Sequence, residues 1–330
     1  MSATRRALGI AALGATAIAA VAYGAPRIAA SRIRRAPDPD GPRVLEPAVR
    51  TTHWIPSHDG GVIHVVESGS GPPIVLSHGV TLSVRTWFHQ LEDLPAEGFR
   101  VLAFDHRGHG RSELGTAGHS LDNLAEDVRS VLEALDLRDA VLVGHSMGGV
   151  AVQSFAIRFP DVLRERVAGI VLLSTLARAP LGSQATRLKA RIERLTRRAP
   201  DTTRAWAAPN LGLLLARLGF GQDPQPTHVE MVRQMMLECT PATRRDAPAV
   251  LIGLDLVDDL RAVDVPTLVI GGTADILTPP HESRRLAETI PGARLHLVAG
   301  AGHMVMLERT AEFHRVLTDF AREAVARRHA

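Results

Sequence analysis

Ala140-Val141-Leu142-Val143-Gly144-His145-Ser146-Met147-Gly148-Gly149 is the stretch that decides how this chain is read. Ala140 to Val143 is a short apolar run of the length of a buried strand, and Gly149 to Phe159 after it reads as a helix. Between them stands Gly-x-Ser-x-Gly. A serine presented on a tight strand-to-helix turn sits in a strained backbone conformation, so the flanking positions must lack side chains that would collide with it. Gly144 and Gly148 meet that need. Composition alone puts such a pentapeptide in roughly one chain in ten of this length. A chance match that also falls at a strand-helix junction is much rarer.

The flanking sequence supports this reading. From about residue 51 strands alternate with helices, the pattern of a mostly parallel sheet covered on both faces. Val62 to Ser68 is an early strand. Pro73 to Ser77, Arg100 to Phe104, Gly169 to Ser174, Thr267 to Ile270 and Arg294 to Val298 are further apolar runs bounded by turn residues. Leu121 to Leu135 repeats Leu124, Val128, Val131, Leu132 and Leu135 at helical spacing, with charged residues facing out. The alternation stops between about Ala177 and Ala247, where the pattern is helical only, so this stretch reads as an insertion and a candidate lid. Within it Thr186 to Arg198 carries an arginine-rich face, read first as a solvated surface and second as a contact for a membrane or an acidic group.

A serine hydroxyl is a poor nucleophile until a base within hydrogen-bond reach takes its proton. His303 lies on the small-residue loop Ala299-Gly300-Ala301-Gly302-His303 after the last predicted strand. Asp275, in Gly271-Gly272-Thr273-Ala274-Asp275, follows the strand before it. Alone, either residue has an ordinary reading: His303 as one of 15 histidines, Asp275 as a helix cap before Pro279. Together with Ser146 they all follow the carboxyl ends of strands, where open α/β sheets build their sites, in the order serine, aspartate, histidine. The expected roles are Ser146 as nucleophile, His303 as general base and Asp275 as orienter of the histidine. An oxyanion needs two N–H donors: Met147 after the nucleophile, and Val80 or, as the alternative, Gly79 in His78-Gly79-Val80-Thr81. His78 is expected to be a structural hydrogen-bonding residue.

These residues, with Asp105-His106-Arg107-Gly108-His109-Gly110-Arg111-Ser112, resemble the α/β-hydrolase superfamily, in the branch of esterases, lipases and cofactor-free haloperoxidase-like enzymes. The resemblance covers roughly residues 50–325. It implies a sheet of about eight strands with a helical lid after the sixth, matching 177–247, and a mainly structural role for the Asp105 to Ser112 loop. It also implies cleavage of carboxylic esters, esterase or lipase-like, through an acyl-enzyme on Ser146. Perhydrolase or haloperoxidase-like chemistry and carbon-carbon bond hydrolysis with the same residues are the alternatives. A non-catalytic binding protein on the same fold is the alternative of another class. Epoxide hydrolases and haloalkane dehalogenases attack with an aspartate, against which Ser146 argues.

The 38 basic and 35 acidic side chains nearly cancel, giving a net charge of +3, so nucleic acid is not an expected partner. Cys239 is the single cysteine, which excludes an internal disulfide and a cysteine metal cluster. It reads as a small buried hydrophobe. No cofactor is expected, and the histidines show no metal-ligand spacing. The expected partner is a small-molecule ester, with a lipid as one candidate; oligomeric state is not legible. The amino terminus differs in kind. Residues 1–40 contain the charge-free, alanine-rich run Ala7 to Ala25, bracketed by Arg5 and Arg6 and by Arg27, Arg32, Arg34 and Arg35. Its length, near the 20 residues of a span, and the flanking arginines predict membrane attachment through a single transmembrane anchor at residues 7–25. A secretory signal removed near Ala20-Val21-Ala22 is the alternative.

Overall fold

Side chains two positions apart on a strand fall on the same face of its sheet, and the strand Ala140–His145 (β5) shows what that does here. Val141 and Val143 pack into one buried cluster with Trp87 and Phe313, while Ala140 and Leu142 pack into another with Phe155 and Leu124. A strand buried on both faces belongs in the middle of a layered structure, and β5 lies there. The computed structural model describes residues 25–41, 47, 49–179 and 201–330.

Eight strands form one sheet: Thr51–Pro56 (β1), Val62–Gly69 (β2), Pro73–Ser77 (β3), Arg100–Phe104 (β4), β5, Val167–Leu173 (β6), Thr267–Gly272 (β7) and Arg294–Val298 (β8), in the order β1-β2-β4-β3-β5-β6-β7-β8. β2 runs antiparallel to both its neighbours, and β3 through β8 are parallel. The seven strands expected from sequence are present. β1 is the addition, an edge strand exposed at four of six positions and partnered through Thr51↔Glu67 to Pro56↔Val62. Leu121–Ala134 and Met147–Arg158 cover one face, and Thr310–Arg328 covers the other through Phe313, Leu317 and Phe320. The fold is the α/β-hydrolase fold expected from the sequence.

Between β6 and β7 the described residues form helices and turns, among them Thr203–Ala207, Leu211–Arg217 and Pro226–Glu238. The arginine-rich stretch Thr186 to Arg198 lies outside the described residues. Cys239 is buried, and burial raises its thiol pKa to about 11, as befits an inert hydrophobe.

The expectation of a membrane anchor is corrected. Among the described residues no helix is long and apolar enough to cross a membrane. Nearly all of the run Ala7 to Ala25 lies outside the described residues. Its described end opens the ten-residue helix Ala25–Arg34, whose arginines make it too charged for a span. That helix packs against the protein instead: Ala30 is buried in the core, and Arg34 donates to Asn210 Oδ1 and to the Pro209 carbonyl at 3.0 Å each.

Candidate active site

β5 ends at His145, and the chain turns into the helix Met147–Arg158 within one residue. Ser146 makes the turn at φ 53°, ψ −118°, a conformation that costs a side-chain-bearing residue of order 1–3 kcal/mol and persists only where surroundings enforce it. They do so here. The Ser146 N–H donates to the Leu173 carbonyl at 3.0 Å, and its own carbonyl accepts from Thr175 Oγ1 at 2.7 Å. The two flanking glycines are required by close backbone approach. A Cβ on Gly144 would stand 2.5 Å from the Gly148 carbonyl oxygen, and one on Gly148 would stand 2.3 Å from the Ser77 carbonyl oxygen.

Asp275 and His303 come together. His303 Nδ1 lies 2.9 Å from Asp275 Oδ2, with the two side chains nearly buried. Asp275 Oδ1 accepts the N–H groups of Leu277 at 2.8 Å and Thr278 at 2.9 Å, while Oδ2 also accepts the Thr278 hydroxyl at 2.7 Å. Asp275 does not cap the helix Pro280–Thr289, whose N-cap is Pro279; one of its oxygens holds the turn before that helix and the other faces the histidine. Burial alone would push this carboxyl up; the hydrogen bond and charge of His303 and the Thr278 donors outweigh it and hold the carboxyl below its ordinary value. An ionised carboxylate only accepts, so the proton between Asp275 and His303 sits on Nδ1 and leaves Nε2 free to act as a base.

Ser146 and His303 line one cavity of about 320 Å³. Gly79, Val80 and Met147 line it too, and most of the remaining wall is apolar, including Trp206, Leu215, Val232 and Met236 from the helices between β6 and β7. A Cβ on Gly79 would come within 3.2 Å of Ser146 Cβ, so backbone passes beside the serine there. Met147 is the first residue of its helix, a position whose N–H has no intrahelical acceptor. The Asp105 loop is set apart from the cavity wall. Asp105 ties His64, Val84 and Arg111 together, and Arg107 is buried against Asp127 and Asp59.

Four residues at the site were not singled out in the sequence. Thr278 touches both Asp275 and His303 Nδ1, the latter at 3.2 Å. An aspartate followed three residues later by threonine is a turn signal that could have marked it. His145, fully buried and neutral because burial drives its pKa well down, has Nε2 2.9 Å from the His303 carbonyl oxygen. Glu308 accepts the N–H groups of Gly302 and Met304 with one oxygen and of Gly221 with the other, at 2.6 to 3.2 Å. Thr175 holds Ser146 as described. His78 behaves as expected: Nε2 accepts the His106 N–H at 3.0 Å, so Nδ1 donates to the Gly79 carbonyl at 2.7 Å, fixing the loop beside the serine.

An eight-stranded, mostly parallel sheet with a strained serine after its central strand, and a histidine-aspartate pair after its last two, defines a class. The chain belongs to the α/β hydrolase fold family, whose sequence profile matches residues 72–310. Over 261 residues it is 34% identical to a non-heme haloperoxidase from Rhodococcus erythropolis, covering 76% of this chain and 92% of that protein. A thermophilic esterase from Thermogutta terrifontis superposes with a TM-score of 0.68 at 28% identity, covering 83% of this chain and 99% of that one. An esterase from Exiguobacterium antarcticum gives a TM-score of 0.71 over 82% and 100% of the two chains at 22% identity, a likeness of fold alone.

Proposed function

We propose that this chain is a serine hydrolase of carboxylic esters that works through an acyl-enzyme on Ser146. The observation that carries the reading is the buried Asp275–His303 hydrogen bond of 2.9 Å beside a strained Ser146 in one apolar cavity. In this mechanism His303 Nε2 takes the Ser146 proton as Oγ attacks the ester carbonyl. The Met147 and Val80 N–H groups hold the oxyanion, with Gly79 as the alternative second donor. His303 then protonates the leaving alcohol, and water repeats the sequence on the acyl-enzyme. Asp275 keeps the imidazole in its Nδ1–H tautomer. The described helices between β6 and β7 act as a lid, giving Trp206, Leu215, Val232 and Met236 to the cavity, and this apolar wall favours an apolar acyl group over a charged one.

The esterase relatives support ester cleavage; the Rhodococcus haloperoxidase supports a second reading, in which hydrogen peroxide replaces water and releases a peracid that oxidises halide. Both use the same residues. The test is hydrolysis of p-nitrophenyl esters from acetate to long acyl chains, beside peroxide-dependent bromination in acetate buffer. The expected result is ester turnover that disappears in Ser146→Ala, with wild-type protein labelled at Ser146 by an active-site-directed phosphonate. Bromination faster than hydrolysis would favour the second reading. Neither turnover nor labelling would sink both and leave a binding protein on this fold.

A further inference from the structure

Away from the cavity, three polar side chains from distant parts of the chain meet in the interior. Asp40 lies on the arm that follows the helix Ala25–Arg34, His89 lies on the short helix Phe88–Asp93, and His228 lies on Pro226–Glu238. All three are buried, at 7%, 5% and 1% exposure. Asp40 Oδ2 is 3.2 Å from His89 Nε2 and 3.0 Å from His228 Nε2, and one ligand atom from each residue fits within a 4.8 Å group. We propose that Asp40, His89 and His228 form a binding site for a divalent transition cation of the zinc class.

The donor chemistry fits: two imidazole nitrogens and one carboxylate oxygen suit zinc, cobalt or nickel, with water filling the remaining position. The dimensions fit as well. Metal–ligand bonds of about 2.0–2.1 Å in a tetrahedral arrangement set neighbouring donors roughly 3.3 Å apart, close to the two separations found. His228 supplies an independent indication. Among the described residues neither of its ring nitrogens makes a hydrogen bond, although Nε2 is 3.0 Å from Asp40 Oδ2. The contact is close without being aligned as a hydrogen bond, and a buried imidazole left so is costly. Gln225 supports the carboxylate: its Nε2 donates to Asp40 Oδ2 at 3.1 Å, and its Oε1 accepts the Asp40 N–H at 2.9 Å. Such outer contacts orient metal-ligating carboxylates. The cation would fasten Pro226–Glu238 to the body and to the arm before β1. That helix also supplies Val232 and Met236 to the cavity wall.

The test uses the full chain without an affinity tag, stripped with a chelator and dialysed. Zn²⁺ is titrated against a chromophoric chelator, Co²⁺ is added to a second sample for its visible d–d spectrum, and thermal midpoints are recorded with and without Zn²⁺. The expected result is one Zn²⁺ per chain, a Co²⁺ spectrum of low coordination number and a raised midpoint. Asp40→Asn and His228→Gln should each weaken Zn²⁺ at least about 100-fold, the upper end of what an outer contact contributes, and lose the Co²⁺ spectrum. Wild-type protein that takes up no stoichiometric Zn²⁺ overturns the proposal, whatever the variants do. Variants that fold, by circular dichroism, and still bind Zn²⁺ as tightly as wild type overturn it too.

Discussion

Thr278 Oγ1 stands 2.7 Å from Asp275 Oδ2 and 3.2 Å from His303 Nδ1, so one hydroxyl holds both side chains of the proposed pair. Removing its hydroxyl takes one donor from an ionised carboxylate, a hydrogen bond of the charged kind with a net value of about 1.5–3 kcal/mol. Part of that appears as misplacement of the imidazole. Thr278→Val is expected to lower kcat on a p-nitrophenyl ester about tenfold, the equivalent of roughly 1.4 kcal/mol, with KM little changed. Asp275→Asn, which presents an amide where Nδ1–H needs an acceptor, should cost about 10⁴ in kcat. A Thr278→Val enzyme within twofold of wild type in kcat would show that the turn N–H groups suffice to hold the carboxylate. The candidate residues themselves were legible because each follows a strand in a short motif. Their supports were not: Glu308 reaches the His303 loop through backbone N–H groups, and nothing in the local sequence of a helical glutamate marks that.

The turn after β5 shows how an element imposes its residues. Gly148 sits where the helix Met147–Arg158 crosses the end of β3, and an added methyl group would lie 2.3 Å from the Ser77 carbonyl oxygen and 2.6 Å from that of His78. Neither is a flexible side chain that could swing away, so the helix would have to lift from the sheet. Gly148→Ala should therefore destabilise the protein by about 1–3 kcal/mol or more, the range for overpacking. Gly60, at φ 82° in the β1–β2 turn with nothing within 4 Å of an added Cβ, is the control. Gly60→Ala carries only left-handed backbone strain, about 1–2 kcal/mol, and leaves the site untouched. Urea unfolding of the two variants separates the cases: a Gly148→Ala midpoint no lower than that of Gly60→Ala would mean the elbow is looser than its contacts imply. The inner strands were legible for the same reason the elbow is tight, since burial on both faces leaves only apolar runs between turns. β1 was harder to read because only one side of it is partnered and its exposed positions carry no apolar pattern. The anchor expectation rested on the length and alanine-rich composition of a run that lies almost wholly outside the described residues, and the helix that follows it packs on the protein through Ala30.

Histidine burial gives the whole protein an acid sensitivity that net charge alone does not suggest. Burial, with some repulsion among neighbouring rings, lowers His106 to about 3 and His119 to about 4, and carries His78 and His145 well below the ordinary value of about 6.5. In the unfolded chain the same rings take up protons as pH falls through about 6.5, while in the folded protein they do not. The unfolded state therefore binds more protons between pH 6.5 and about 3–4, and stability falls as pH falls across that window. Depressed carboxyls act lower. Asp59, at about 2 where Ala117 and Arg107 donate to it, keeps its stabilising charge until pH drops below the unfolded value near 3.9 and loses it progressively towards 2. Two phases are expected in a plot of unfolding free energy against pH, measured by urea titration in the presence of EDTA. The histidine phase starts near pH 6.5, with a slope of about 1.4 kcal/mol per pH unit for each ring that titrates only when unfolded. The carboxylate phase follows below about pH 4. His119→Gln should flatten the first phase and leave the second unchanged. A curve that is level from pH 7 to 5 would mean that these rings take up protons in the folded protein as they do in the unfolded chain, and the neutral imidazoles assigned to His78 and His145 beside the serine would have to be abandoned.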